Sequence, residues 1–184
     1  MKTSQDKPPA PQLEAGDLVV YEGNLAVILE PVIYLTTAMR GVKANDWKYK
    51  VRWIDDSEIR RLKRLGRRSR KSCYVTESEV SLANGAEEQA YLNTLSVVTG
   101  GSPVKPGGYI RFESHSKGRG KYSRGDIGRV IYLSSGKTVF RRYSIWAIAL
   151  QDSHTRSGVR FVAAEEFMFS VINPLTALAM EAGV

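Results

Sequence analysis

Cysteine is almost missing from this chain. Cys73 is the only one in 184 residues, which excludes an internal disulfide and makes a reducing cytosol the natural compartment. Histidine is scarce too: His115 and His154 stand apart from any thiol or carboxylate at ligand spacing, which removes the usual zinc sites. No apolar run approaches the roughly 18 residues of a spanning helix, so no membrane insertion is expected. The N-terminus, M-K-T-S-Q-D-K-P-P-A-P-Q, lacks the apolar centre of a secretory signal. Its prolines and polar residues read as an extended, mobile arm over residues 1–12. Negative charge is also short, with 19 Asp and Glu against 27 Lys and Arg. The resulting formal charge of +8 and pI near 9.6 favour anionic partners, nucleic acid first. Hydrophobic content of 42% still suffices for packed cores.

What is present is concentrated. Residues 59–71 read I-R-R-L-K-R-L-G-R-R-S-R-K, placing Arg60, Arg61, Lys63, Arg64, Arg67, Arg68, Arg70 and Lys71 together without one acidic residue. Charges packed this closely repel one another, so the stretch costs the fold stability and points to a polyanion ligand. Each Lys or Arg that neutralises a phosphate releases a condensed counterion. Arg suits the task because its guanidinium fork donates two hydrogen bonds to one phosphate. Ile59, Leu62 and Leu65 recur every three residues, which predicts a helical turn ended by Gly66. The plainer reading is a solvated charge run.

A second basic element is the glycine-rich stretch 116–125, S-K-G-R-G-K-Y-S-R-G. It reads as a long hairpin loop carrying Lys117, Arg119, Lys121 and Arg124, with Tyr122 free to stack on a base. Two basic loops on linked units would raise the effective concentration for each other's contacts.

The rest of the chain reads as short strands. Leu18 to Tyr21 and Leu25 to Leu29 form a hairpin around Gly23-Asn24, and Pro31 should end the second strand. From Trp47 to Ile54 aromatic and apolar residues alternate with Lys48, Lys50 and Arg52, as in a half-buried antiparallel strand. Thr76 and Glu79 have the spacing of a capping box. Residues 84–106 change character to an acidic helical linker. The first pattern then returns. Gly107 to Ser114 lays over Gly16 to Gly23, and Asp126 to Leu133 over the Asn24–Leu29 strand. Further on, Ser144 to Ser153 lays over Tyr49 to Ser57, with Trp146 expected to match Trp53, and Val159 to Phe167 over Ser72 to Val80. Asn173-Pro174 should cap a short C-terminal helix.

Four or five strands, an early hairpin and a one-turn helix before the last pairing resemble a small SH3-like barrel. The chain is similar to the Tudor and KOW branches of that group, over about residues 13–83 and 104–172. The KOW likeness is carried by Gly125-Asp126-Ile127-Gly128-Arg129-Val130-Ile131; the first unit, with Leu25-Ala26-Val27, lacks the second glycine. In size and charge the chain is also similar to small basic DNA-binding proteins of tailed phages. The expected fold is therefore mainly β: an arm (1–12), a first SH3-like barrel (13–83) with the basic insertion 59–71, the helical linker (84–106), and a second barrel with a C-terminal helix (107–184). The resemblance implies a binding protein, since members of this group bind nucleic acid, ribosomes, RNA polymerase or modified protein tails and few are enzymes.

Other motifs are weaker. Ser135-Gly136-Lys137-Thr138 looks like the end of a phosphate-binding loop, but strand-like sequence flanks it and a hairpin turn with Gly136 left-handed explains it. Trp47, Tyr49, Trp53 and Tyr74 could form a cage for a methylated cation, against the plainer reading of core packing. Asp55, Asp56 and Glu58 have no second carboxylate set or general base near them to make a metal-dependent nuclease. The expectation is a cytoplasmic, non-enzymatic protein without cofactor or metal. It binds phosphates of nucleic acid, duplex DNA before RNA, and modulates transcription or DNA organisation. RNA polymerase or a chromatin-like protein would be further partners. The alternative is an assembly protein of a virion or nucleoprotein particle, docking its basic loops on an acidic partner.

Overall fold

The computed structural model describes residues 9–37, 44–54, 71–116, 122–136, 142–152, 154–155 and 158–181. It is mainly β, with two five-stranded antiparallel sheets and two helices. The first sheet contains β1 (Leu18–Tyr21), β2 (Asn24–Leu35), β3 (Asp46–Trp53), β4 (Ser72–Thr76) and β5 (Ser81–Leu82), in the order β4-β3-β2-β1-β5. The second contains β6 (Tyr109–Phe112), β7 (Ile127–Ser135), β8 (Ile145–Gln151), β9 (Val159–Glu165) and β10 (Phe169–Ile172), in the order β10-β6-β7-β8-β9. The two orders are the same once the strands are renumbered. A 3-10 turn precedes the fifth strand in each, Glu77–Glu79 and Glu166–Met168. Neither sheet closes into a barrel as the sequence led us to expect. After each turn the fifth strand pairs with the first, so the fourth and fifth strands remain as edges.

The likeness extends to irregularities. In β2 the register slips between Ile28 and Glu30 and between Pro31 and Ile33; in β7 it slips between Val130 and Tyr132 and between Leu133 and Ser135. Gly16 N–H donates to Ile28 O at 2.8 Å, and Gly107 N–H to Val130 O at 2.9 Å. Pro31 does not end its strand, because the bulges on either side tolerate a residue that cannot donate to the ladder. The expected Trp equivalence needs correction. Val51 pairs with Ile28 and Ile148 with Val130, so Trp146 corresponds to Tyr49 and Trp53 to Leu150.

Each sheet covers its own core. Val19, Ala26, Ile28, Tyr49, Val51, Trp53 and Val75 fill the first; Ile110, Phe112, Val130, Trp146, Ile148 and Leu150 are central to the second. The alternation along β3 holds, with Tyr49, Val51 and Trp53 buried. Where the first unit has Ala26, the second has Gly128. A Cβ there would lie 2.5 Å from Ile148 Cγ2, so Ile148, one methylene larger than its counterpart Val51, leaves space only for glycine.

The segment 84–106 is more than a linker. Helix α1 (Gly85–Thr99) is capped by Asn84, whose Oδ1 accepts from Ala86 N and Glu87 N, and ends at Gly100 with φ of 69°. Leu95 and Val104 are buried in the second core, with Tyr91 and Leu92 packed against it. Gly136 meets this helix: a Cβ would fall 2.6 Å from Val98 Cγ1. Close approach, not a left-handed turn, therefore requires that glycine. The C-terminal helix α2 (Pro174–Glu181) begins as expected, with Leu175 N–H donating to Asn173 Oδ1.

The units meet along β2 and β7. Because Ala26 and Ile28 face one core, Val27 and Leu29 face outward, where they pack with Ile131, Ala15 and Ala149 from both units. At one end of the seam Arg129 donates to Asp17 Oδ1 (2.8 Å) and Gly107 O (3.2 Å) and pairs with Glu14.

Residues from Pro9 onward, expected in the arm, are held by the first unit. Trp47 Nε1–H donates to Pro9 O at 3.0 Å, and Leu13 is buried in the first core with its N–H directed to Tyr49 Oη. Residues 1–8 lie outside the described ones. Removing residues 1–8 should leave the thermal midpoint unchanged, whereas Leu13→Ala should cost about 2–3 kcal/mol in urea denaturation.

Tyr49 adds a pH dependence. Its buried hydroxyl donates to Glu77 Oε2 at 2.6 Å; burial first, then this hydrogen bond, pushes its pKa well above the ordinary tyrosine value. Burial raises Tyr21 and Tyr91 to about 12. The folded state thus holds these protons more tightly than the unfolded chain, whose tyrosines titrate near ~10. Stability should be level below pH ~10 and fall as pH rises past it. Urea midpoints between neutral and strongly alkaline pH should show that fall, and Tyr49→Phe should reduce its depth.

Candidate nucleic-acid interface

Residues 55–70, and with them Arg60, Arg61, Lys63, Arg64, Arg67, Arg68 and Arg70, lie outside the described part of the structure, as do the expected turn at Ile59, Leu62 and Leu65 and the acidic group Asp55, Asp56 and Glu58. The stem of the basic stretch is described. Trp53 N–H donates to Lys71 O at 3.1 Å and Ile54 N–H to Leu25 O at 3.2 Å, so the stretch leaves β3 and returns to β4 at neighbouring positions. Lys71 is exposed at this stem. The corresponding β8–β9 connection is short: Asp152 N–H donates to Gly158 O, and Arg160 pairs with Asp152 at 3.3 Å. The charge is thus inserted into the hairpin of one unit only.

The second basic element sits on a different connection, β6–β7. Its first-unit counterpart is the tight turn at Glu22 and Gly23, both with positive φ (49° and 73°); the turn thus falls one residue earlier than Gly23-Asn24. In the second unit Ser116 N–H donates to Tyr122 O at 3.1 Å, closing a loop whose Lys117, Arg119 and Lys121 lie outside the described residues. Arg124 is exposed, its N–H directed to His115 Nδ1. Since strands alternate in direction, a first-to-second and a third-to-fourth connection belong to the same end of such a sheet.

Tyr122 is a correction. It does not stand free for a base: it is buried, stacked on Phe112 with centroids 4.0 Å apart, and its hydroxyl donates to Met168 Sδ at 2.8 Å. The aromatic residue anchors the loop to the second core. The cage reading also fails. Tyr49 is fully buried and Trp53 nearly so, while Tyr74 lies on the opposite face beneath Lys48 Nζ, 5.3 Å from its ring centroid. The phosphate-loop likeness at Ser135-Gly136 is overturned by the pairing of Ser135 with Ile145, which makes the segment part of a β7–β8 hairpin.

Little else among the described residues suggests chemistry. No group of three or more His, Cys, Asp or Glu is placed to hold a metal there, and no helix there is long and apolar enough to cross a membrane. The Cys73 thiol is pushed up to about 11, by burial first and then by Glu22 and Glu79, so it is protonated at neutral pH and a poor nucleophile.

Two cationic residues outside the basic stretches are fixed instead. Arg129 spans the seam, and Arg52 lies over the Tyr132 ring, 4.1 Å from its centroid. Sequence showed Arg52 only as an outward position of β3, and its partner belongs to the other unit.

If Tyr122 is an anchor, Tyr122→Ala should cost about 3 kcal/mol of stability and leave the nucleic-acid affinity of the folded protein unchanged, as read by urea denaturation and titration at low temperature. A selective loss of affinity would restore the stacking role. No protein-family model, curated protein or solved structure matches this chain.

Proposed function

We infer that the chain is a non-enzymatic nucleic-acid-binding protein built from two SH3-like units of the Tudor and KOW kind, holding duplex DNA through backbone phosphates. The repeated strand order with its 3-10 turn supports the SH3-like reading, although the sheets stay open. One observation carries the function: eight cationic side chains are inserted between β3 and β4 of one unit, on a hairpin stem closed by ladder bonds. A fold gains nothing from crowding like charges, so a polyanionic ligand is what makes the insertion intelligible. Arg124, with the loop residues Lys117, Arg119 and Lys121, would add a second set of phosphate contacts from the other unit. Half to two-thirds of contacts in such interfaces go to the backbone, so base discrimination is expected to be small.

Binding should be strong at low salt and fall steeply as salt rises, with a log–log slope near −5 if about six phosphates are engaged. Replacing Arg64, Arg67, Arg68 and Arg70 by Ala should flatten the slope by up to about four units and weaken all duplexes alike. Electrophoretic or fluorescence titrations on duplex DNA, single strands and structured RNA at several salt concentrations measure both. An unchanged slope would favour the assembly reading, in which the basic loops dock on an acidic protein. A single duplex losing far more affinity than the rest would identify a sequence-specific reader.

A further inference from the structure

The seam between the units opens, beside the stem of the basic stretch, into a cleft of about 750 Å³, within the range of small-molecule sites. Its wall combines three parts of the chain. Arg52, Trp53 and Lys71 come from the first unit, Tyr91 from helix α1, and Tyr132 from β7. Arg52 is half-buried, and no described carboxylate pairs with it; its guanidinium is held instead over the Tyr132 ring. That contact fixes a flat cationic surface, and among the described residues the N–H donors of the fork meet no acceptor. Tyr91 has its hydroxyl kept protonated by burial and bonded to no described residue. Among the described residues of the wall Glu87 is the one carboxylate, and it is engaged by the helix cap, where its Oε2 accepts from Asn84 N at 2.9 Å. The described wall therefore offers two cations, a hydroxyl donor and two tyrosine rings, with its one carboxylate already occupied.

We propose that this cleft binds one nucleotide of a single strand, with Arg52 and Lys71 on the phosphate and the base stacked on the Arg52–Tyr132 platform beside Tyr91. Guanidinium planes and tyrosine rings are the usual stacking partners of unpaired bases. A duplex cannot supply such a base without unstacking it, so the cleft acts on single strands or strand ends. It shares only Lys71 with the basic stretch, and because Arg52, Tyr91 and Tyr132 lie outside that stretch the two readings can fail independently.

The test is a titration of the full chain, followed by backbone-amide spectra, with thymidine monophosphate, thymidine and inorganic phosphate as three arms. The monophosphate should shift signals of Arg52, Ile54, Lys71, Tyr91 and Tyr132 together. Thymidine and inorganic phosphate should each bind about tenfold more weakly, because each lacks one half of the contact. A single-stranded oligothymidylate should shift the same signals at lower concentration. Arg52→Gln should weaken the monophosphate about tenfold, and Tyr91→Phe, which keeps the ring, should weaken it less. Should Arg52→Gln lose its dispersed spectrum, Tyr132→Leu replaces it, with a similar loss expected. Replacing Arg64, Arg67, Arg68 and Arg70 by Ala should abolish most duplex binding and leave the monophosphate titration as it was. No shift at millimolar monophosphate, shifts scattered away from the cleft, or inorganic phosphate binding as tightly as the nucleotide would each overturn the proposal.

Discussion

The arrangement of the molecule depends on one close approach, where the backbones of its two units touch. Gly16, with φ of 95°, stands so near the second unit that a Cβ would lie 2.5 Å from Val130 O and 2.8 Å from Gly107 N. A side chain there would push the units apart, whatever it was. The approach lets Val27 and Ile131 bury one another's outer faces and brings Arg129 within reach of Asp17 and Gly107 O. Hydrophobic burial supplies attraction along this seam without direction; the arginine fork and the glycine contact supply the orientation.

The two units share a frame and differ in their surface. The strand orders, the paired bulges and the glycine that opens each first strand are shared. The equivalent core positions hold different residues: Tyr49 against Trp146, Trp53 against Leu150, Ala26 against Gly128. The long connections differ, the third-to-fourth in one unit and the first-to-second in the other. A hairpin whose stem is closed by ladder bonds tolerates added length at little entropic cost. The cleft is accordingly asymmetric. Arg52 faces a tyrosine of the second unit, while its own counterpart there is Ala149, a seam residue.

Charge is divided in the same way. Among the described residues several cations serve the fold: Lys50 pairs with Glu30, Arg111 with Glu113, Arg160 with Asp152, and Arg129 with Glu14 and Asp17. The formal surplus of +8 equals the count of cationic residues in 59–71. That surplus lies where no acidic residue interrupts it, and its field reaches about a Debye length into solvent, about 8–10 Å at physiological salt.

Local pattern wrote much of this into the chain. Alternation along Trp47–Trp53, the Thr76–Glu79 capping box (2.7 Å from Thr76 N to Glu79 Oε2) and the Asn173 cap are short-range physics, and the structure has each of them. The repeat was legible because residues that must turn or pack recur in the same order. What the pattern could not say was where a residue's partner would be. Tyr122 looked like a free ring in a glycine-rich loop, yet Phe112 and Met168 claim it. Gly136 looked like a turn glycine, yet its role is to admit Val98 of a helix nearly forty positions earlier. The 1–12 arm lost residues 9–12 to the fold because Trp47 offers an N–H to Pro9. Nothing in the sequence assigned Arg52, Arg129, Tyr91 or Tyr132 a partner, since each matters through a neighbour on the opposite side of the seam. Periodicity fixes which face of a strand is apolar; only packing the two sheets together decided which outward-facing residues would meet, and so where a cleft could open.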